Sequence, residues 1–202
     1  MKVFEAITKN SEFEENNYLV VKNLWNIDEL TCYPPEERGV QINYDSISGE
    51  IKSKVDEDQV GGSTSRYHHP LFKQAHVGIR LKIEKVIGMK LYDTYYFDRF
   101  YFNGQKLNKH IDRDACEISV TLHIGTSLPK PAADWPVCIK TPDNSDVCVT
   151  LNPGDAMIYK GCQSLHWRDK LPEVVGDHYY HQVFFHYVLQ DGYRAHHAWD
   201  RG

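Results

Sequence analysis

Read as a pattern of apolar and polar positions, the chain changes character near residue 90. Between Leu71 and Ile87 (LFKQAHVGIRLKIEKVI), apolar side chains fall at Leu71, Phe72, Ala75, Ile79, Ile83, Val86 and Ile87. That spacing gathers them on one face of a helix, and Gly88 supplies the left-handed residue on which helices commonly stop. This is the one long helix the pattern predicts. Downstream, runs of β-branched and aromatic residues broken by Gly, Pro and Asp predict strands over Thr94–Phe102, Glu117–Ile124, Val137–Thr141, Val147–Leu151, Ala156–Tyr159 and Gln182–Leu189. Upstream, Tyr18–Trp25 (YLVVKNLW) predicts a strand and Pro34–Gly39 a turn or loop. The polar stretch from Asp45 to His69, with Gly61-Gly62-Ser63, predicts a long flexible loop, of the kind that forms lids or binding elements.

Short strands at close spacing after a supporting helix predict a mainly β protein with flanking helices (α+β) and a jelly-roll or barrel core. No repeat or Pro/Gly/Ser-rich linker divides the 202 residues, so a single domain is expected. Its parts are an N-terminal strand, loop and support helix over 1–90, a β core over 91–190 and a C-terminal tail over 191–202. The formal charge of −5 supplies no general attraction to a phosphate backbone, so nucleic acid is not the expected partner. No apolar run approaches the ~20 residues that span a bilayer, and the opening MKVFEAITKNSEFEENN has neither the apolar core nor the cleavage site of a signal peptide. A cytoplasmic chain without membrane contact is expected. The five cysteines, Cys32, Cys116, Cys138, Cys148 and Cys162, are odd in number, scattered and without a Cys-x-x-Cys pair, and read as reduced core or strand residues.

The candidate chemistry lies in the β half. His110 and Asp112 are two residues apart, so on an extended segment both project to one face. His166 follows the Asn152–Asp155 turn and the apolar strand Ala156–Tyr159, which places it at or beyond the far end of that strand. Two imidazoles and one carboxylate can hold one face of a divalent metal and leave the other open, as in non-haem Fe(II) oxygenases. A chain with eleven histidines contains His-x-Asp triplets by chance, and most histidines are surface or hydrogen-bonded core groups, so the weight comes from the neighbours.

The segment Tyr101–Asp112 (YFNGQKLNKHID) closely resembles the strand-turn-strand opening of 2-oxoglutarate/Fe(II) dioxygenases of the prolyl 4-hydroxylase type, with its Tyr, its Gly-Gln turn and then His-x-Asp. Asn152–Tyr159 (NPGDAMIY), followed by His166, resembles the second half of that core. The resemblance runs from roughly Thr94 to Val188. It implies a double-stranded β-helix (jelly-roll, cupin-like) core. It further implies an Fe(II)- and 2-oxoglutarate-dependent dioxygenase that hydroxylates a peptidyl or free amino acid. Dioxygen (O2) would be consumed, 2-oxoglutarate would be decarboxylated to succinate and CO2, and ascorbate would serve as accessory reductant. His110, Asp112 and His166 become the metal ligands and the catalytic centre.

The resemblance also exposes a departure. The family's cation beyond the distal histidine is missing here, because Val174–His181 (VVGDHYYH) holds neither Lys nor Arg. A co-substrate carboxylate needs a fixed cation or strong donors. Arg168, two residues after His166, ranks first as that anchor, followed by His178 or His181; the competing reading pairs Arg168 with Asp169 or Asp155 on the surface. Tyr101 matches the family tyrosine whose phenol bonds the co-substrate, with strand packing as its plainer role. Ser119 and His123 align with a Thr and a Tyr that line the same pocket, and an imidazole at 123 implies pH-sensitive co-substrate binding.

Lys106, Lys109 and Arg113 read as a solvated face before a surface for acidic substrate, and the pairs His68-His69 and His196-His197 as surface residues. Substrate selection, whether of a peptide or a small molecule, falls to the loops 45–69, 125–136 and 169–180. Two rival readings remain open at this point. One is a cupin-like metal- or ligand-binding module without catalysis, favoured by the missing cation, and the other an Fe(II) oxygenase that does not use 2-oxoglutarate.

Overall fold

The structure, a computed structural model, describes residues 8–200. The first seven residues and the last two lie outside the described residues, with the parts of the N-terminal and tail readings that fall on them. A short helix, α1 (Ser11–Asn16), is capped by the Asn10 side chain, which accepts from the Phe13 N–H. Strands β1 (Tyr18–Val21), β2 (Val40–Tyr44), β3 (Ile51–Asp56) and β4 (Thr64–Tyr67) come before helix α2 (Lys73–Ile87). Eight strands follow: β5 (Leu91–Phe102), β6 (Leu107–His110), β7 (Ile118–Thr126), β8 (Val137–Lys140), β9 (Asp146–Val149), β10 (Ala156–Tyr159), β11 (His166–Arg168) and β12 (Tyr179–Leu189).

They form an eight-stranded sheet ordered β1-β10-β7-β12-β5-β4-β2-β3 and a four-stranded sheet ordered β6-β11-β8-β9. The predicted helix is present, and its apolar stripe of Ala75, Ile79, Ile83 and Ile87 is buried with Val120, Leu122, Val183 and Phe185 in one core cluster. Burying each such aliphatic side chain is worth about 1.5–3 kcal/mol. Helix α2 ends at Gly88 with φ 71°, where a Cβ would lie 2.0 Å from the Thr8 carbonyl oxygen, so only glycine fits.

Strand alternation sends the opposite set of side chains toward the smaller sheet. One transverse row runs Tyr67, Phe97, Phe184, Thr121 across β4, β5, β12 and β7, and the next runs Ser65, Arg99, Gln182, His123. The first row and Arg99 of the second line a cavity of about 640 Å³, within the range of small-molecule sites.

Three expectations are corrected. The stretch 45–69 is no flexible loop, because it holds β3 and β4. Its polar text hides strands: β3 is an edge strand exposed along its whole length, and β4 buries Thr64, Ser65 and Arg66, so neither shows apolar alternation. Cys138 and Cys148 are not reduced. They face each other across the β8–β9 register and form a disulfide. His68 is not a surface residue but is buried with its ring 5.4 Å from Tyr96, and the neighbouring His69 ring accepts from the Leu71 N–H ahead of α2.

Candidate metal centre

Pairing of β6 with β11 sets His110 directly opposite His166. Asp112 lies just past β6, fixed by its N–H donating to the Gly161 carbonyl at 2.9 Å, while Ile111 between them points outward and is 58% exposed. The alternation expected from the sequence therefore holds. His110 Nε2 stands 3.6 Å and His166 Nε2 3.4 Å from Asp112 Oδ1, and the three ligating atoms lie within 4.8 Å of one another.

The outer nitrogens are already engaged. His110 Nδ1–H donates to the Asn108 carbonyl (2.8 Å) and His166 Nδ1–H to that of Ser164 (2.9 Å), which makes both Nε2 atoms acceptors beside Asp112, that of His110 also 3.4 Å from the Gln59 amide nitrogen. Such bonds fix tautomer and ring orientation in metal-binding histidines. On the carboxylate side, Ser119 donates to Asp112 Oδ2 at 2.8 Å. Gly161 backs the same oxygen so closely that a Cβ there would sit 2.3 Å from it.

The electrostatics suit a carboxylate ligand. Burial would raise the Asp112 pKa, but interaction with His166, aided by His186 and Ser119, holds it at about 2. Burial likewise opposes charging His166, yet Asp112 outweighs it and raises the pKa; His110 is lowered, by burial first and then by His166. An N,N,O donor set with locked tautomers and one free face suits Fe(II).

Beyond the triad, Arg168 on the cavity wall and several side chains outside that wall carry unspent donors. Arg168, expected as a surface or anchoring residue, is buried: Nη1 donates to the Trp135 carbonyl (2.9 Å), and the guanidinium stands over the rings of Trp135 and Tyr180. No carboxylate among the described residues pairs with it, since Asp155 is held by Lys22 and the Asn23 N–H. Arg168 Nη2, Gln182 Nε2 and the phenols of Tyr101 and Tyr180 are buried without a hydrogen-bond partner, and buried polar atoms left unsatisfied call for an explanation. A dianionic 2-oxo acid fits the unpaired Arg168 donor on that wall.

Other expectations are redirected. Tyr101 is fully buried and packs edge-on against Trp135. Ser119 serves Asp112. His123 stacks on Tyr180 with Nδ1 against the His181 carbonyl, and burial drives its pKa down to about 3, so it cannot confer the pH sensitivity near neutrality that its position suggested. His178 is exposed and bonded to the carbonyls of Ser127 and Val175. His181 lies on the other face of the sheet, 2.7 Å from Asp98 Oδ2 in a buried cluster with Arg66 and Cys32. Neither histidine lines the cavity.

Four further cavity residues escaped the sequence reading. Arg99 donates to Glu57 (3.0 Å) and Gln59 (2.7 Å), and Gln59 also reaches within 3.4 Å of His110 Nε2. His186 bonds Ser119. Period-two counting back from Tyr101 and forward from Gln182 would have placed Arg99 and His186 on the inner face.

No protein-family model and no curated protein matches the chain. Among solved structures it is similar to a Pseudomonas putida prolyl-4-hydroxylase (11% identity, TM-score 0.56, 87% of this chain and 95% of that one). It is also similar to a Trichoplax adhaerens prolyl hydroxylase in complex with a hypoxia inducible factor peptide fragment (10%, 0.61, 87% and 86%). A third likeness is to HygX from Streptomyces hygroscopicus with nickel, 2-oxoglutarate and hygromycin B bound (10%, 0.53, 87% and 84%). With the helix-backed major sheet and the smaller sheet carrying both histidines, these likenesses establish that the chain has the prolyl-4-hydroxylase-like jelly-roll fold of the 2-oxoglutarate/Fe(II) oxygenases.

Proposed function

We propose that the chain is an Fe(II)- and 2-oxoglutarate-dependent dioxygenase that hydroxylates a peptidyl or free amino acid. One observation carries the reading: two Nε2 lone pairs with their Nδ1–H groups already spent on backbone carbonyls converge with Asp112 Oδ1 at the wall of a cavity. Structural likeness supports it, since one neighbour holds a peptide fragment and another a metal with 2-oxoglutarate.

In this reading His110, Asp112 and His166 hold the metal. Iron(II) with 2-oxoglutarate supplies the oxidising power to insert oxygen into a C–H bond, with succinate and CO2 as co-products and ascorbate as accessory reductant. The residues of the chain supply binding, orientation and exclusion of water. Arg168, which lines the cavity and whose Nη2 has no hydrogen-bond partner, takes the distal carboxylate, with the Tyr180 ring beneath its guanidinium. The rings of Tyr95, Phe97 and Phe184 line the cavity and present an apolar wall to the substrate. The buried, unpaired Arg168 also favours this reading over a non-catalytic module, whose main support was a missing cation.

No helix among the described residues is long and apolar enough to cross a membrane. The expected cytoplasmic location stands against the Cys138–Cys148 bond, since disulfides persist mainly in oxidising compartments.

The test is succinate release from 2-oxoglutarate with Fe(II) and ascorbate. Turnover above buffer without any prime substrate, abolished in His110→Ala, is the expected result. No turnover with Fe(II) bound, even against peptide and amino-acid libraries, would sink the assignment in favour of a binding module.

A further inference from the structure

The two histidines of the triad are locked by backbone carbonyls, whereas Asp112 is gripped through its outer oxygen by a chain of side chains. Ser119 Oγ lies 2.8 Å from Asp112 Oδ2, and His186 Nδ1 lies 3.0 Å from Ser119 Oγ. Hydrogen counting fixes the direction. An ionised carboxylate only accepts, so the single hydroxyl hydrogen of Ser119 goes to Asp112; the Cys116 carbonyl, at 3.2 Å, is the longer and neutral alternative. Ser119 Oγ must then accept from His186, which puts the imidazole hydrogen on Nδ1 and the lone pair on Nε2.

The chain is rigid. Ser119 is fully buried and His186 is 3% exposed, its ring flanked by those of Tyr95 (4.7 Å between centroids) and Phe97 (5.7 Å). His186 Nε2 has no hydrogen-bond partner among the described residues, so Nδ1 is the one polar contact its side chain makes. Gly161 closes the remaining side of Asp112 Oδ2.

We propose that His186 is a positioning residue of the metal centre, which orients Asp112 through Ser119 so that Oδ1 alone faces the two imidazole nitrogens, and so sets metal affinity. The proposal rests on the reading of His110, Asp112 and His166 as ligands. A carboxylate free to turn about its last torsion offers either oxygen, or both, to a cation. The Ser119 hydroxyl and the Gly161 backbone leave it one orientation, and His186 holds the hydroxyl in the rotamer that achieves this. Losing such an outer partner typically weakens metal binding by about 10–100-fold.

The experiment is titration of the metal-stripped chain with Co(II), alongside thermal melting of each variant. His186→Phe keeps a ring between Tyr95 and Phe97 but removes the donor; Ser119→Ala removes the relay. Each is expected to weaken Co(II) binding by about 10–100-fold with little change in melting. The double variant should bind no worse than the weaker single, because both changes cut one chain. His186→Asn, whose amide nitrogen falls near the position of Nδ1, should recover most of the loss.

Parental Co(II) affinity in His186→Phe overturns the proposal, as do additive losses in the double variant. Should His186→Phe not fold, Ser119→Ala in the His186→Asn background carries the test, and unchanged affinity there overturns it equally. A Co(II)–thiolate absorption that disappears in Cys116→Ser also overturns it, since His186 would then be a ligand in the Asp112–Cys116–His186 group, whose donor atoms also lie within 4.8 Å of one another. Asp112→Ala separates the two levels. If it binds Co(II) like the parent, the triad reading itself fails; if it loses binding while His186→Phe does not, only the positioning role fails.

Discussion

Two Asp–His clusters lie on opposite sides of the eight-stranded sheet, and in only one of them does the carboxylate already hold a cation. On the helix side, Asp98 accepts from Arg66 through Nε (3.0 Å) and Nη2 (2.5 Å) and from His181 Nε2 (2.7 Å), and Arg66 also donates to Cys32. The Asp98 carboxylate is taken up by these donors and a guanidinium stands where a cation would go, while His181 Nδ1 is buried without a hydrogen-bond partner. On the cavity side, His110 and His166 spend their Nδ1–H groups on carbonyls and keep Nε2 at 3.4–3.6 Å from Asp112 Oδ1, too far for a good hydrogen bond. Both clusters bring Asp and His within ligating distance of a third group. What separates the two clusters is whether the carboxylate already has a cationic partner: Asp98 has Arg66, whereas Asp112 faces two imidazole nitrogens.

The contrast is broken or upheld most forcefully by removing the two aspartates. Asp98→Ala strands Arg66 in the core without its counter-charge, a loss of about 3–5 kcal/mol, or roughly 10 °C in melting temperature for a domain of this size. Asp112→Ala should leave apo melting within a few degrees and reduce Co(II) binding to the adventitious level. Equal melting losses in the two variants would erase the distinction between the two clusters.

These two clusters also mark what could be read from the chain alone. His110, Asp112 and His166 were legible because a turn motif and period-two spacing are local in sequence. The placement of Arg168 was half legible, since its proximity to His166 is local, but its burial under Trp135 comes from the loop between β7 and β8 and could not be counted out. His181 was misplaced by one register step: it and Gln182 are neighbours in sequence, and in a strand neighbours face opposite sides. Strands β3 and β4 and the Cys138–Cys148 bond were missed because each depends on pairing across the sheet rather than on apolar pattern. Once the hairpin turn at Thr141–Ser145 is placed, the two cysteines fall opposite each other.

Acid should separate buried imidazoles from the paired charges. Burial holds the pKa of His76 and His123 near 3, well below the roughly 6.5 of an unfolded chain, so between those values the unfolded state binds protons that the folded state refuses. Stability is then complete above about pH 6.5 and is lost as pH falls toward 3, by about 1.4 kcal/mol per unit for each histidine. Asp98 behaves differently: burial would raise its pKa, but Arg66 and His181 lower it, so its contribution survives until the pH falls below the ordinary carboxylate range. Apo melting followed from pH 7 to pH 4 should decline steadily, with a shallower slope in His123→Phe. A flat profile over that range would mean that these histidines gain protons without unfolding.

The smallest expected effect compares the two buried arginines. Arg66 is consumed by Asp98, so Arg66→Ala should cost stability while leaving the KM for 2-oxoglutarate of the folded protein unchanged. Arg168 has no carboxylate partner, so Arg168→Ala should raise that KM by about 10–100-fold, the equivalent of about 1.5–3 kcal/mol for a charge-assisted hydrogen bond. Arg168→Lys should recover only part of this, because a lysine offers a point charge where the guanidinium offers a planar fork. A KM unmoved by Arg168→Ala would transfer the carboxylate to Arg99, the other buried guanidinium on the cavity wall. That outcome carries its own signature: Arg99 is tied to Glu57 and Gln59, so Glu57→Gln would then tighten 2-oxoglutarate binding by releasing the arginine, whereas with Arg168 as anchor it leaves the KM where it was.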